Sequence, residues 1–261
     1  MLVIVESDAE TVGRRAADLV ADLIQRHPRA VLGLATGATP LGLYRELVRR
    51  RAAGRLDLSG LTVFGLDEYL GLAASHPGSC AQALHRHLIA PAGLDPARVH
   101  LLDGATGDPA ATCAAHERAI ADAGGLDLQI LGLGVNGHIG FNEPGCSLAG
   151  PTHVVGLSAA TRATNRPHFP PPAEVPIAAL TMGVATILAA RQVLLLATGP
   201  AKAAPVARTI EGPLTARVPA SALQMHAQAT VLLDEAAAAD LDFAGDYATQ
   251  AAVTMGLGGV W

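Results

Sequence analysis

Four short apolar segments, each followed at once by a loop of small or polar residues, constrain the fold more than any other feature of the sequence. They occupy residues 30–35, 61–66, 128–133 and 192–197. Because they are apolar almost throughout, they are typical of parallel strands that are covered on both faces. Parallel strands need a crossover between them, and that crossover is usually a helix. The chain is therefore predicted to be an α/β protein with a mostly parallel sheet.

Helical patterns lie between the predicted strands. Residues 2–5 form a first strand, and Ser7 with Glu10 marks the capping box of a helix. Its apolar face consists of Val12, Ala16, Leu19, Val20, Leu23 and Ile24. Only 3% of residues are aromatic although half are apolar, so the core is expected to consist mainly of Ala, Leu, Val and Ile. With 261 residues and no linker-like composition, one domain over residues 1–261 is predicted.

The charge balance limits the partners of the protein. The net charge is −5 and the pI is near 6.0, which argues against nucleic acid and anionic membranes as partners. No segment is long enough to cross a bilayer and no basic signal region starts the chain, so a soluble, cytoplasmic protein is expected. Cys80, Cys113 and Cys146 have no CxxC spacing and are predicted to be free thiols rather than metal ligands.

Two loops have the composition of an anion-binding site. Thr36, Gly37, Ala38 and Thr39 follow the strand at 30–35 and precede a helix that starts with Pro40. Free N–H groups and the helix dipole at such a position suit a phosphate, although an ordinary turn with a Thr cap fits the same residues. Lys202 occupies the equivalent place after the strand at 192–197, where a solvated lysine is the alternative.

Two other loops carry groups that exchange protons. Asp67 and Glu68 follow the strand at 61–66. Asn136, His138, Asn142 and Glu143 follow the strand at 128–133, within a glycine-rich turn. The spacing of Gly132, Gly134 and Gly137 formally matches a dinucleotide-binding fingerprint. That reading is rejected, because no acidic residue follows at the required distance.

The four loops are expected to share one pocket. Parallel strands place their carboxyl ends along one edge of a sheet, where ligands of open α/β sheets bind. The pocket would hold an anion at one end and a carboxylate–imidazole group at the other, which fits a small phosphorylated metabolite. A proline-rich segment, residues 158–175, is interpreted as a lid over this pocket, with a plain connector as the alternative.

The motifs that carry these residues resemble the glucosamine-6-phosphate deaminase family. They are LGLATGATPLGLY, LDEY, LGLGVNGHIGFNEPG, LSAATRATN, LTMG and the Lys202 loop, in that order over nearly the whole chain. The resemblance implies a Rossmann-like three-layer α/β/α sandwich. It also implies an enzyme, of hydrolase or isomerase type, that converts D-glucosamine 6-phosphate and water to D-fructose 6-phosphate and ammonia. It implies neither a metal nor an organic cofactor.

The resemblance also implies roles for single residues. Asp67 matches the general base that moves a proton from C2 to C1 of the substrate. His138 matches the acid/base that opens the sugar ring, with Asn136 and Glu143 as its partners. Residues 36–39 and Lys202 match the elements that hold the phosphate.

The sequence departs from the family pattern at several positions. Asn136 stands where some members have Asp, and Ala38 where Gly is common. Pro167 stands where the family has a phosphate-binding Arg, and the adjacent Arg166 is the candidate to replace it. His153 and Val155 stand where allosteric members have basic residues, so no activation by an amino-sugar phosphate is expected. A homo-oligomer is compatible with the resemblance.

Two other functions are weighed against deamination. A 6-phosphogluconolactonase would share the fold and a Gly-His loop, but such enzymes lack the DEY and FNEPG motifs. A sugar-phosphate-sensing domain of a transcription regulator has a related fold, but a sensor has little use for Asp67, His138 and Glu143 together.

Overall fold

The computed structural model describes residues 1–169, 171 and 173–256, and within them seven parallel strands form one sheet. The strands are β1 (Leu2–Glu6), β2 (Val31–Leu34), β3 (Thr62–Gly65), β5 (Val99–His100), β6 (Leu128–Gly132), β9 (Gln192–Ala197) and β10 (Ala229–Asp234). Their order across the sheet is β1-β10-β9-β6-β2-β3-β5. All neighbours are parallel, which confirms the predicted sheet. The two-residue strand β5 was not predicted.

A second, antiparallel sheet has the order β4-β8-β7. Its strands are β4 (Asp67–Tyr69), β7 (His153–Gly156) and β8 (Ala178–Thr181). The interpretation of residues 67–69 as a loop is therefore wrong, since they form a strand whose first residue pairs with Thr181. A three-residue strand is too short to show a sequence period, and its partner lies far along the chain.

Helices connect the strands and flank the main sheet. They are α1 (Ala9–Arg26), α2 (Pro40–Ala52), α3 (Cys80–Leu84), α4 (Ala90–Ala92), α5 (Pro109–Asp122), α6 (Ala159–Asn165), α7 (Val184–Leu188), α8 (Ala203–Ile210) and α9 (Ala244–Gly256). A π-helical stretch, His85–Ile89, joins α3 to α4. The N-cap of α1 is Asp8, whose carboxylate accepts the N–H of Thr11 at 2.7 Å, rather than the predicted Ser7.

Apolar cores lie on both faces of the main sheet. Leu194 and Leu196 of β9 belong to the core that contains the buried face of α1 and of α2. Val193 and Leu195, which alternate with them, belong to the core that contains residues of α7 and α8. Successive residues of a strand point to opposite faces, so helices cover both faces of the sheet. This arrangement confirms the predicted three-layer α/β/α sandwich.

The strand order determines which loops are neighbours. Strands β9, β6, β2 and β3 are consecutive in the sheet, and their carboxyl ends precede Thr198, Leu133, Ala35 and Leu66. The four loops predicted to share a pocket therefore leave the same edge side by side.

In the part of the chain that the structure describes, no helix combines the length and the apolar character needed to cross a membrane.

Candidate active site

Asp67 lies where the main sheet gives way to the antiparallel sheet, as the first residue of β4. It is only 8% exposed, and its Oδ1 is buried without a hydrogen-bond partner among the described residues. The pKa of Asp67 is raised from 3.8 to about 7: burial is the main cause, the neighbouring Cys80 thiol opposes it, and the charge of Glu68 adds to it. A carboxyl group with such a pKa can accept a proton and return it near neutral pH.

The adjacent carboxylate, Glu68, has a structural role instead. It is 1% exposed and accepts hydrogen bonds from the N–H of Tyr69 at 2.8 Å and the hydroxyl of Ser79 at 2.6 Å. It also accepts the N–H groups of Cys80 at 3.0 Å and Ala81 at 2.9 Å, which are the first two residues of α3. Glu68 therefore ties the N-terminus of α3 to the strand that carries Asp67.

A chain of hydrogen bonds leads from Glu143 to the imidazole of His138. Glu143 Oε2 accepts from Asn136 Nδ2 at 2.8 Å, and Asn136 Oδ1 lies 2.7 Å from His138 Nδ1. An ionised carboxylate can only accept, so the Asn136 amide nitrogen faces Glu143 and its oxygen faces the ring. Nδ1 of a neutral His138 therefore carries the proton, and Nε2 keeps a free lone pair.

The charges of His138 and Glu143 follow from their surroundings. Burial lowers the pKa of His138, the negative charge of Glu143 raises it, and Lys202 lowers it, for a net decrease. Burial raises the pKa of Glu143, but hydrogen bonds from Thr161, Asn136 and Ser158 outweigh burial, and the pKa falls below its ordinary value. Near neutral pH the site therefore pairs an ionised Glu143 with a neutral His138.

Thr181 connects the loop of His138 to Asp67. It is paired with Asp67 between β8 and β4, and its hydroxyl accepts the N–H of Phe141 at 3.1 Å. The loop also requires glycine at position 134, because a Cβ there would lie 2.3 Å from ring atoms of His138. Thr181 thus connects the strand of Asp67 to the loop of His138, and a pocket shared by the two side chains stays a prediction.

Residues 36–39 combine free backbone donors with the start of a long helix. Thr39 is the N-cap of α2 and makes no side-chain capping bond, so the alternative of an ordinary Thr-capped turn does not apply. Among the described residues, no acceptor is found for the N–H groups of Gly37, Ala38 and Thr39. Gly37 has φ +108°, whereas Ala38 is not among the positive-φ residues, so Ala is tolerated there. This geometry suits a phosphate.

Lys202 approaches the same edge from β9. Its ammonium group donates to the carbonyl oxygen of Leu133 at 2.6 Å, and burial lowers its pKa. The loop before it is held by Asp234, whose two carboxylate oxygens accept the N–H of Gly199 at 3.0 and 2.9 Å. Lys202 therefore lies close to the loop of His138 rather than in bulk solvent, contrary to the alternative of a solvated lysine.

The guanidinium group of Arg166 is engaged within its own segment. It donates to the carbonyl oxygens of Phe169 and Ala173, the latter at 2.9 Å. Arg162, one turn earlier, has a buried Nε without a hydrogen-bond partner among the described residues. The structure thus places Arg166 in the predicted lid and does not place its guanidinium with residues 36–39.

Sequence reasoning singled out Glu68 as a proton-exchanging group, whereas the structure gives it a structural role. It did not assign a role in the site to Thr181 or Asp234, although Thr181 lies in the LTMG motif. Cys80, Cys113 and Cys146 are free thiols, as predicted. In the described residues, no group of three or more His, Cys, Asp or Glu side chains is arranged to hold a metal ion.

Comparisons with known protein sequences identify the family. Residues 6–232 match the family model described as glucosamine-6-phosphate isomerases/6-phosphogluconolactonase. A glucosamine-6-phosphate deaminase of Pseudarthrobacter chlorophenolicus is 48% identical over 95% of this chain and 95% of its own. One of Cellvibrio japonicus is 47% identical over 92% of both chains.

Solved structures agree with the fold. A glucosamine-6-phosphate deaminase described as monomeric superposes with a TM-score of 0.89 and 41% identity, over 92% of this chain and 100% of that one. The 6-phosphogluconolactonase of Trypanosoma brucei has a TM-score of 0.73 at 20% identity, over 92% and 98%, and shares the fold alone. The family model spans most of the sequence, and the predicted site residues, from Thr36 to Lys202, lie within it. The chain therefore belongs to the glucosamine-6-phosphate isomerase/6-phosphogluconolactonase family.

Proposed function

We propose that the protein is a glucosamine-6-phosphate deaminase, which converts D-glucosamine 6-phosphate and water to D-fructose 6-phosphate and ammonia. The observation that carries the proposal is that the two strands on either side of β2 in the main sheet end at a buried Asp67, with its pKa near 7, and at the loop in which His138 is hydrogen-bonded through Asn136 to Glu143. The deaminases of Pseudarthrobacter chlorophenolicus and Cellvibrio japonicus, similar over nearly the full chain, support it. The reaction is an isomerisation with deamination, so "hydrolase" describes it only loosely.

Ring opening is assigned to His138. Its Nε2 has a free lone pair, because Nδ1 donates to Asn136. Nε2 takes the proton of the anomeric hydroxyl and delivers it to the ring oxygen, which gives the open-chain aldehyde. Glu143 stabilises the transient imidazolium through Asn136, since the amide transmits orientation but carries no charge of its own.

Isomerisation and deamination are assigned to Asp67. Its carboxylate removes the C2 proton of the open-chain aldehyde while O1 takes a proton from the substrate ammonium group, which yields an enolamine. Return of the proton to C1 leaves an imine at C2, and water adds to this imine and displaces ammonia. The raised pKa of Asp67 makes its carboxylate a stronger base than an exposed one.

Phosphate binding is assigned to the N–H groups of Gly37, Ala38 and Thr39, the side chain of Thr36, and Lys202. The helix dipole of α2 and the ammonium charge both favour a dianion at this edge. Arg166 remains a proposed phosphate ligand, in place of the family arginine at the Pro167 position. To serve this role, its guanidinium must leave the carbonyl oxygens of Phe169 and Ala173.

Residues 158–175 are proposed as a lid within a single domain that spans residues 1–261. The N–H of Ser158 donates to Glu143 at 3.2 Å, so the start of the segment contacts the active site directly. Phe169 is fully buried and packs against Tyr69 and His76. These contacts support a segment that lies against the site. Positions 170 and 172 lie outside the described residues.

A homo-oligomer stays a prediction, and the solved deaminase described as monomeric argues against it. A cytoplasmic location is likewise proposed, in keeping with a small phosphorylated substrate. A 6-phosphogluconolactonase activity is the alternative within the same family, but the solved lactonases are similar in fold alone. A sensing function has no specific observation in its favour.

Incubation of the purified protein with glucosamine 6-phosphate tests the proposal. Fructose 6-phosphate and ammonium should appear in equal amounts, and Asp67→Asn should form neither at a comparable rate. A parallel incubation with 6-phosphogluconolactone separates the two family activities. Hydrolysis of the lactone without ammonium release from the amino sugar would contradict the proposal.

A further inference from the structure

Glu117 of α5 was not singled out as a site residue, yet one of its carboxylate oxygens accepts three hydrogen bonds. Its Oε1 accepts the N–H of Thr152 at 2.7 Å, the hydroxyl of Thr152, and the hydroxyl of Thr186 at 2.6 Å. Thr152 directly precedes β7 and Thr186 lies in α7. The two threonines are only 5% and 7% exposed. The carboxylate thus joins two buried segments that lie apart in the chain.

The charge of Glu117 strengthens these bonds. Burial raises the pKa of Glu117, but hydrogen bonds from Thr152 and Thr186 outweigh burial, and the pKa falls below its ordinary value. The carboxylate is therefore ionised near neutral pH. Hydrogen bonds to an ionised acceptor are roughly twice as strong as those between neutral groups, so this half-buried carboxylate is a firm attachment point for both threonines.

The two segments that the carboxylate joins flank one row of the antiparallel sheet. His153, Thr181 and Asp67 are paired residues of β7, β8 and β4, and they lie side by side in that row. Thr152 comes directly before the first of them, and Thr186 lies in the helix that follows the second. The carboxylate therefore holds the chain just before β7 and just after β8, next to the row that ends at the proposed base.

Gly183 shows how closely the two segments pack. A Cβ at this position would lie 2.0 Å from the carbonyl oxygen of Gly150 and 2.2 Å from that of Pro151. The N–H of Ala185 also donates to the carbonyl oxygen of Gly150 at 3.1 Å. Because buried segments in such contact cannot move independently, a shift of residues 150–152 would also displace the chain around Gly183.

Met182 connects this packing to the proposed active site. Its N–H donates to the carbonyl oxygen of Leu66, the residue before Asp67, at 2.8 Å. Its carbonyl oxygen accepts the side-chain amide of Asn142, in the loop of His138, at 2.8 Å. The segment between β8 and α7 therefore contacts both the chain that carries the proposed base and the loop that carries the imidazole.

We propose that Glu117 is a positioning residue for deamination. Through the three hydrogen bonds of its carboxylate, it holds residues 181–186 in contact with both proton-transfer elements. The proposal rests on the proposed function of Asp67 and His138. Loss of these bonds should change how the two groups are placed relative to each other, and the rate of a positioned reaction is sensitive to such displacements.

Kinetic variants test the positioning role. Glu117→Ala removes all three hydrogen bonds and should lower kcat of the folded enzyme about tenfold. The effect on KM should be smaller, because phosphate binding is assigned to other loops. Glu117→Gln keeps an acceptor of the same shape and should restore kcat to within about threefold of the wild type. Thr186→Val removes one of the bonds and should lower kcat in the same direction, which decides the test if Glu117→Ala does not fold.

Glu211→Ala is the matched control. Glu211 likewise accepts two hydrogen bonds, from the N–H groups of Asp242 and Phe243 at 3.0 Å each, but it connects the end of α8 to the residues before α9. Its loss should lower stability and leave kcat at the wild-type value. A wild-type kcat in folded Glu117→Ala or, if that variant does not fold, in Thr186→Val would overturn the proposal.

Amide hydrogen exchange tests the same contacts without catalysis. The N–H groups of Phe141 and Met182 should exchange about tenfold faster in Glu117→Ala, because both bond across the boundary between residues 181–186 and the proposed site. Amides of β10 in the main sheet serve as the reference for global stability. Unchanged exchange relative to β10 would overturn the inference even if kcat fell. If the wild type released no ammonium, faster exchange in Glu117→Ala would support the contacts and place the failure in the proposed function.

Discussion

Asp67 and Thr181 are paired residues of β4 and β8, and the Thr181 hydroxyl accepts the N–H of Phe141 at 3.1 Å. The strand that carries the proposed base is thereby connected to the loop that carries His138. Neither residue lies in the main sheet. The small antiparallel sheet thus connects the strand of one proposed proton-transfer group to the loop of the other.

Replacement of Thr181 tests this connection. Thr181→Val keeps the shape of the side chain but leaves the Phe141 N–H without an acceptor, which should cost roughly 1–3 kcal/mol of stability. It should also lower kcat about tenfold, because the His138 loop shifts relative to Asp67. Thr181→Ser retains the hydroxyl and serves as the control for both measurements. Equal kcat values in Thr181→Val and the wild type would show that the loop is positioned by other contacts.

The pKa of Asp67 predicts a stability that depends on pH. Its ordinary value is 3.8 and its folded value about 7, so both states bind the proton below the first pH and release it above the second. Between these values the unfolded state ionises more readily, so the wild type loses stability as the pH rises, on the order of 4 kcal/mol in total. Asp67→Asn lacks this titration and should gain stability relative to the wild type over that range.

Urea unfolding of both proteins from pH 4 to pH 8 checks the prediction. The difference in unfolding free energy should grow in favour of Asp67→Asn up to about pH 7 and then stay constant. All other groups titrate in both proteins and cancel in the difference. A difference that is independent of pH would mean that Asp67 has an ordinary pKa.

Asn136→Asp tests how the charge of His138 is controlled. The change replaces the donor to Glu143 by a second carboxylate, which should raise the pKa of His138. If ring opening requires the neutral imidazole, activity near pH 6 should fall about tenfold and recover toward pH 8. An NMR titration of His138 in both proteins checks the cause directly. An unchanged histidine titration would contradict the assigned role of Asn136.

Lys202→Ala should raise KM roughly tenfold to a hundredfold with a smaller effect on kcat, because a charge-assisted contact to phosphate is lost. Lys202→Arg keeps the charge and should retain most of the affinity.

Arg166→Ala separates two roles of the Arg166 guanidinium. A raised KM would support phosphate binding, whereas an unchanged KM would leave Arg166 as a residue that only holds the lid through Phe169 and Ala173.

Much of the fold could be predicted, because most strands of the main sheet are continuous apolar runs. Such runs indicate strands that are buried on both faces. The loop after each strand was identifiable for the same reason, and the strand order puts β9, β6, β2 and β3 side by side. The antiparallel sheet was missed because its strands pair across distant parts of the chain. β4 has three residues, and Asp67 within it gives no apolar signal.

The site could be predicted only where a residue type by itself suggests chemistry. Ionisable side chains do so at Asp67, His138 and Glu143, and the amide of Asn136 can donate and accept hydrogen bonds. Cys80 is different, because a buried thiol is most often a small apolar residue, and only the hydrogen bond from Thr36 to its sulfur distinguishes it. Asp234 is ordinary in sequence and acquires its role by accepting the N–H of Gly199.

The central claim is that Asp67 carries the C2 proton, and deuterium transfer tests it most directly. Glucosamine 6-phosphate labelled with deuterium at C2 should be turned over by the wild type with part of the label at C1 of fructose 6-phosphate. Asp67→Asn, folded and at least as stable at pH 7, should lose turnover by several orders of magnitude and transfer no label. Wild-type turnover in Asp67→Asn, with the label still at C1, would contradict the account.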